Sequence, residues 1–484
     1  MKKVFSFKII GKREFFNNFN EPSFEYNVQE GNKESDSKRI VNKNLDNDQT
    51  TEQKFLPELL SHGQKSINNS HLYSENNFSP FSFLKNQIKH GLIKGSTNKL
   101  EFPSPSYIFS NEINKSQDLS KQSFLSGLRI DDKIGLVLTD QEIALRFKGL
   151  MTKMIKSAMA SFFSKQSVSL PITIFEPKST LQRICDYFSF APEFLSQASS
   201  ETNPIERLKL TITFSIAGFY TSSKQLKPFN PLLGETFEGI FSDKSRIYCE
   251  QISHYPTVAR FLMKDVKNLY TINGYYEFIS VNKNFGKKLS VSQTGPNNVH
   301  FSKIKSNIIY NLPKINMLNC DSEINRSSYW KSMMVFVDVE NSLKAFIKFG
   351  KMANVNCFEG YIIEFVYPEK YKFNIKHEVA SAKKYMKDKN PAFVSRITGN
   401  WLESISFDDK CYWNINSYIP CEIFATMDSI PSDARFREDL IWLFRSVNTK
   451  EEENKQKYID LAQNWKYLLE KIQRTDRELR KNKK

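Results

Sequence analysis

Residues 248–261, YCEQISHYPTVARF, set an acid, an amide, a hydroxyl and an imidazole side by side as Glu250, Gln251, Ser253 and His254, with Tyr255 next and Thr257 closing the polar run. Four readings compete: a catalytic centre, a metal site, an anion cradle, or an ordinary strand end. Catalysis fails on geometry. Ser253 and His254 are neighbours, and neighbours in an extended strand point to opposite faces, so they cannot act as nucleophile and base. No GxSxG elbow, P-loop or strand-borne GxGxxG occurs elsewhere, and the chain does not read as an enzyme. The six His and six Cys are scattered without CxxC, HxxxH or mixed clusters, so neither a metal nor a cofactor is expected.

An anion cradle needs donors on a stiff frame, and two other stretches carry them. In LKPFNPLLGETFEG, residues 226–239, Pro228 and Pro231 stiffen the backbone around Lys227 and Asn230, and the loop runs into Gly234 and Glu235. Near the C-terminus Lys466, Glu470 and Arg474 recur at i, i+4 and i+8, which stacks them on one helix face. Each has a plain alternative: a Pro/Gly-rich connection for the first, a solvated row of ion pairs for the second.

The 484 residues carry a formal net charge of +16, which favours an anionic partner: a phospholipid surface, a phosphorylated ligand or a nucleic acid. A basic surface with no dedicated partner is the bland alternative. No run of 18 apolar residues occurs, so no spanning helix is expected. Lys8 interrupts the apolar part of MKKVFSFKII, which argues against a secretory signal. With unclustered cysteines, this fits a reducing cytosol.

The elements that must position these groups begin late. Residues 1–140 are rich in Asn, Ser and Lys and bury too little to offset chain entropy; a low-complexity, disordered region is expected there, and a folded one over 141–484. RFKGLMTKMIKSAMASFF sets Phe147, Met151, Met154, Ile155, Ala158 and Phe162 on one helical face, away from Lys148, Lys153 and Lys156. This amphipathic helix, about 145–165, suits either a core position or a membrane-contacting lid. Helices follow over about 178–220. Ser179 with Gln182 makes a capping box, and Asn203, Pro204 and Glu206 open a helix whose Ile205, Leu208, Ile212, Ile216 and Phe219 form a buried stripe. From about 245 to 415 the apolar period falls to two in runs such as LYTINGYYEFISV and FEGYIIEFVY, with Glu340, Asn341 and Ser342 as a hairpin link. An antiparallel meander able to curl into a barrel is expected. The C-terminal region, about 433–484, returns to helix, with Tyr458, Leu461, Trp465, Leu468 and Ile472 recurring at three and four.

These signals stand in an order that resembles the oxysterol-binding protein family of lipid-transfer proteins. The family segment Glu-Gln-Val-Ser-His-His-Pro-Pro is matched here by Glu250-Gln251-Ile252-Ser253-His254-Tyr255-Pro256-Thr257. LPITIFEPKSTLQRICDYF, NPIERLKLTITFSIAGFY, KPFNPLLGETFEG, YTINGYYEFISVNKNFGKKLSV, PSDARFREDL and EKIQRTDRELRK are similar in the family's order, over about 145–484. The resemblance implies an α+β fold: a large incomplete antiparallel β-barrel enclosing a lipid tunnel, with flanking helices and an N-terminal amphipathic lid. It implies a cytoplasmic protein, peripheral at anionic intracellular membranes. That protein would move one sterol or phospholipid between membranes, in exchange for phosphatidylinositol 4-phosphate. By the same resemblance Lys227, Asn230, Glu235, His254, Tyr255, Lys466, Glu470 and Arg474 hold the phosphoinositide headgroup, and Met151, Met154, Ile155 and Phe162 form the lid and membrane contact.

The chemistry agrees with that assignment. A monoester phosphate needs charge-assisted donors, and an acid among them holds a Lys or Arg in place or accepts from inositol hydroxyls. Exposing acyl chains costs about 0.8 kcal/mol per methylene, so carriage through water demands enclosure. Tyr255 in place of the second His, and Thr257 in place of the second Pro, imply weaker 4-phosphate binding. No pleckstrin-homology or ankyrin-like pattern precedes 145, which reads as a short form. Residues 13–21, REFFNNFNE, partly resemble the FFAT motif that binds an endoplasmic-reticulum receptor. Glu14-Phe15-Phe16 fit, whereas Asn17 and Asn20 stand where acids belong, and a match this short arises readily by chance. A lipid sensor or scaffold that binds without transfer, and a nucleic-acid binder using the +16 charge, remain as alternatives.

Overall fold

The computed structural model describes residues 126–150, 169–222, 226–283, 287–304, 306–320, 322–350, 353–388, 391–426 and 430–481. The expected lid and membrane-contact residues Met151, Met154, Ile155 and Phe162, and the FFAT-like segment, lie outside these residues.

The fold begins before the boundary expected at 141. Strands β1 (Leu128–Asp131) and β2 (Gly135–Leu138) form a hairpin, and β2 pairs with Ser327 and Ser328. The fit is close: Gly135 has φ +92°, and a Cβ there would meet the Ser328 carbonyl oxygen at 2.3 Å. Two strands of 4 residues each are too short to register as a period in a polar background. Helix α1 (Gln141–Phe147) follows and stops at once, since Lys148 takes ψ 123° and Gly149 φ +65°. The unbroken helical face expected to run from Phe147 into Met151 is therefore interrupted. Phe147 is buried, with the Arg326 guanidinium 3.6 Å from its ring centroid.

β3 (Phe175–Ser179) leads into α2 (Thr180–Asp186), α3 (Ala191–Ser200), α4 (Pro204–Ala217) and the single turn α5 (Phe219–Ser222). The capping box of Ser179 and Gln182 is present. At α4, Asn203 caps the Ile205 amide, but Glu206, whose spacing from Asn203 suits a capping box, does not reach back to the Asn203 amide. Lys209 and the Tyr412 hydroxyl donate to it instead, and Glu201 accepts from the Asn203 amide. A tertiary partner distant in sequence has outcompeted the local cap.

β4 (Lys227–Phe229) runs parallel to β3. The meander then comprises β5 (Thr236–Phe241), β6 (Arg246–Ser253), β7 (Val258–Lys264), β8 (Tyr270–Lys283), β9 (Lys288–Thr294), β10 (Asn297–Phe301), β11 (Ser306–Tyr310), β12 (Lys314–Leu318), β13 (Ser327–Asp338), β14 (Leu343–Phe349) and β15 (Cys357–Glu364). After α6 (Ile375–Tyr385) come β16 (Ser395–Asn400), β17 (Ser404–Phe407), β18 (Lys410–Asn414) and β19 (Ile423–Ala425). Antiparallel ladders run from β19 through β5, β6 and β7 to β8. β8 then divides, reaching β13 both through β9 and β12 and through β10 and β11. From β13 the sheet continues through β14 to β18. No ladder joins β18 to β19 among the described residues, which leaves the barrel incomplete. The sheet also exceeds the expected 245–415 at both ends, taking in β1, β2, β5 and β19.

Period-two burial, such as exposed Arg246 and Tyr248 alternating with buried Ile247 and Cys249, gives the sheet an apolar face for α2–α5. Phe188 meets Phe261, Phe219 stacks on Trp330, and Phe190 meets Trp413. Each such ring contributes roughly 1.5–3 kcal/mol by leaving water. On the opposite face, Val335 and Val337 pack with Ala382 of α6 in a separate cluster. Helices α7 (Glu438–Asn448) and α8 (Glu452–Lys481) pack together, with Trp442 and Tyr458 5.5 Å apart. Among the described residues no helix is long and apolar enough to cross a membrane.

Candidate anion-binding site

Lys227 opens β4, and its Nζ donates to Asn230 Oδ1 at 2.7 Å and to the Pro228 carbonyl at 3.0 Å. It lies 4.8 Å from the centroid of the Phe175 ring. Lys466 reaches the same ring from α8, at 5.1 Å, and donates to Ser169 Oγ, the Leu170 carbonyl and Glu470 Oε1 at 2.8, 2.9 and 2.6 Å. Two ammonium groups on one aromatic ring attract the ring and repel each other. Burial, with the Lys466 charge next in weight, pushes Lys227 down to about 7.

Glu470 also accepts from Arg474, at 3.1 Å, so one carboxylate holds two cations of α8 apart and in place. On the next turn, Gln473 Nε2 lies 2.7 Å from His254 Nδ1. With the amide donating, Nδ1 accepts and the imidazole proton sits on Nε2. Burial lowers the His254 pKa, and the charges of Arg477 and Arg474 lower it further, which keeps the ring neutral. Arg477 lies 5.5 Å from the Tyr255 ring centroid. Lys466, Glu470, Gln473, Arg474 and Arg477 thus make one continuous stripe of α8.

Glu235 sits elsewhere than expected. It is 4% exposed and accepts from the Ser179 hydroxyl, from the Leu232 amide at 2.9 Å and from Arg437 at 2.9 Å. Of the two uses foreseen for an acid, it serves the first: it holds an arginine. Arg437 in turn donates to the Asn230 carbonyl at 2.7 Å and grips Asp439 through two bonds of 3.0 and 2.8 Å. Burial pushes the Glu235 carboxyl up while Arg437 opposes it. Burial also works against the Arg437 charge, but Asp439 and Glu235 outweigh it and hold the guanidinium well above its usual value. Glu235 therefore braces the Lys227–Asn230 loop from beneath.

Lys227, Asn230, His254, Tyr255, Lys466, Glu470 and Arg474 are brought together by β4, the turn after β6, and α8. Four contributors escaped the sequence reading. Phe175 looks like core in any strand. Arg437 stands in PSDARFREDL, a segment matched only as a landmark. Gln473 and Arg477 continue the spacing of Lys466, Glu470 and Arg474, and that spacing taken through i+7 and i+11 would have found them.

Residues 151–484 match the family model described as Oxysterol-binding protein. Oxysterol-binding protein 9 of Dictyostelium discoideum is 28% identical over 305 residues, 60% of this chain and 69% of that protein. Oxysterol-binding protein-related protein 8 of Homo sapiens is 26% identical over 337 residues, 65% of this chain but 34% of that protein. The chain thus spans about a third of the length of the human relative. The solved Osh1 ORD domain in complex with cholesterol shares the fold, with a TM-score of 0.50 at 20% identity, over 76% of this chain and 89% of that one. With the family model covering well over half of its residues, this chain belongs to the oxysterol-binding protein family.

Proposed function

We propose that the chain binds one sterol or phospholipid within its barrel and moves it between membranes, with phosphatidylinositol 4-phosphate as the counter-lipid. The observation that carries this reading is the cation cluster drawn from β4 and α8 onto Phe175, beside a neutral His254. Lys227, at about 7, sits in a surplus of positive charge that a dianionic phosphate monoester would neutralise. The phosphate would favour protonation of Lys227 and His254 and accept charge-assisted bonds from Lys227 and Arg474, with the Lys466 charge close by but its three donors already bonded. Asn230 presents Lys227, and Glu470 prevents the α8 cations from spreading. For the lipid carried inside, the likeness to a domain solved with cholesterol supports a sterol-sized guest.

Transfer of a fluorescent sterol between two vesicle populations tests the reading. Transfer is expected, and faster when the opposing vesicles contain phosphatidylinositol 4-phosphate. Failure to bind either lipid would overturn it, and binding of both without transfer would favour a sensor.

A further inference from the structure

We infer that Arg477 is a specificity-determining residue of the headgroup site, supplying across the Tyr255 ring the cation that a tyrosine at this position does not carry. The inference rests on the proposed phosphoinositide site. Tyr255 is 67% exposed, so packing does not fix its ring, and what lies over it is the Arg477 guanidinium at 5.5 Å. Arg477 follows Arg474 by three residues on the α8 stripe that already reaches Phe175 and His254. The charges of Arg477 and Arg474 both act on His254 and lower its pKa. Among the described residues Arg477 makes no hydrogen bond: its contact with exposed Glu478 spans 3.6 Å, too long for one. Arg437, by contrast, spends its donors on Asp439, Glu235 and the Asn230 carbonyl.

A neutral phenol offers one O–H donor, whereas a guanidinium over that ring adds N–H donors for an anion and a charge that arginine keeps at any working pH. Arg477 would thus replace a titrating imidazole by a permanent cation. The ligand chemistry is a dianionic phosphate, assigned here to the monoester of a lipid headgroup, with free inorganic phosphate as the competing source that the test separates.

Calorimetry on the full chain with dioctanoyl phosphatidylinositol 4-phosphate and dioctanoyl phosphatidylinositol tests this. Arg477→Ala is expected to weaken the phosphorylated lipid about three- to tenfold, between the worth of an exposed ion pair and that of a charged hydrogen bond. Binding of the unphosphorylated lipid should move less, and the melting temperature should hold. Arg477→Gln, which keeps length and hydrogen bonding but not charge, should lose affinity too. Adding Tyr255→His to Arg477→Ala should restore affinity below neutral pH and make it pH-dependent. Unchanged affinity in Arg477→Ala or Arg477→Gln, with Lys466→Ala weakened, overturns this inference and leaves the proposed function standing. No preference for the phosphorylated lipid in the unaltered chain overturns both. Displacement of that lipid by equimolar inorganic phosphate would mark a free-anion site and also overturn the assignment.

Discussion

Two charged layers meet at the Lys227–Asn230 loop, and they use arginine in opposite ways. Beneath it, Arg437 is buried between Glu235 and Asp439 and makes bonds of 2.7 to 3.0 Å to protein acceptors. Above it, among the described residues, Arg474 has one bond, to Glu470, and the Arg477 guanidinium lies over an exposed tyrosine. The lower layer has no surplus of positive charge and its cation is fully bonded, with Arg437 holding the Asn230 carbonyl. The upper layer has an excess of positive charge and donors to spare. A charged side chain at the site therefore declares its role by what remains unsatisfied: Glu235, expected at the headgroup, is a brace because its oxygens are already used.

The sharpest break of that contrast is Arg437→Met. It leaves Glu235 and Asp439 buried without a counter-ion and should cost about 3–5 kcal/mol of folding stability, read by chemical denaturation. A loss below about 1 kcal/mol, the scale of an exposed pair, would erase the distinction between the layers. In the upper layer, Lys227→Ala and Arg474→Ala should each lose about 1.5–3 kcal/mol of phosphoinositide binding while the unfolding midpoint changes little. If stability falls and affinity does not, these residues belong to the brace.

A smaller effect follows from the Lys227 pKa of about 7, below the ordinary lysine value. Between about pH 7 and 10 the unfolded chain binds more protons than the folded one at this group, so its contribution makes stability rise with pH across that window. Below pH 7 the unfavourable charge is present in full. A bound phosphate reverses the sense: binding above pH 7 takes up a proton, and affinity should fall as pH rises from 7 to 9, by at most about tenfold per unit. Titration in two buffers of different ionisation enthalpy reads that uptake directly, and none at pH 8.5 would remove Lys227 from the ligand. The smallest expected change is Tyr255→His, a tightening of about 0.5–2 kcal/mol that grows below neutral pH, nearer the lower figure while Arg477 remains. Weaker binding in a folded variant would mean that the rim is built around the tyrosine.

What could be read from the sequence was what repeats locally. The stripe of Leu208, Ile212 and Ile216, the alternation in β6 and β7, and the α8 spacing each follow a period that folding preserves. What could not be read depends on partners far along the chain. The β1–β2 hairpin needs β13, β5 needs β19 as well as its neighbour β6, and Glu206 accepts from Tyr412 and Lys209 instead of capping its helix. The site divides in the same way: Lys466, Glu470 and Arg474 were legible as a row, whereas Phe175 acquires meaning only when Lys227 and Lys466 converge on its ring.

The account stands on the upper layer recognising a 4-phosphate. The direct measurement is the ratio of affinities for dioctanoyl phosphatidylinositol 4-phosphate and dioctanoyl phosphatidylinositol, in the unaltered chain and in the folded Lys227→Ala, Arg474→Ala double variant. The account predicts a ratio of about tenfold or more that collapses toward unity in the variant, as the loss of two charge-assisted contacts requires. A ratio that survives both substitutions would contradict it.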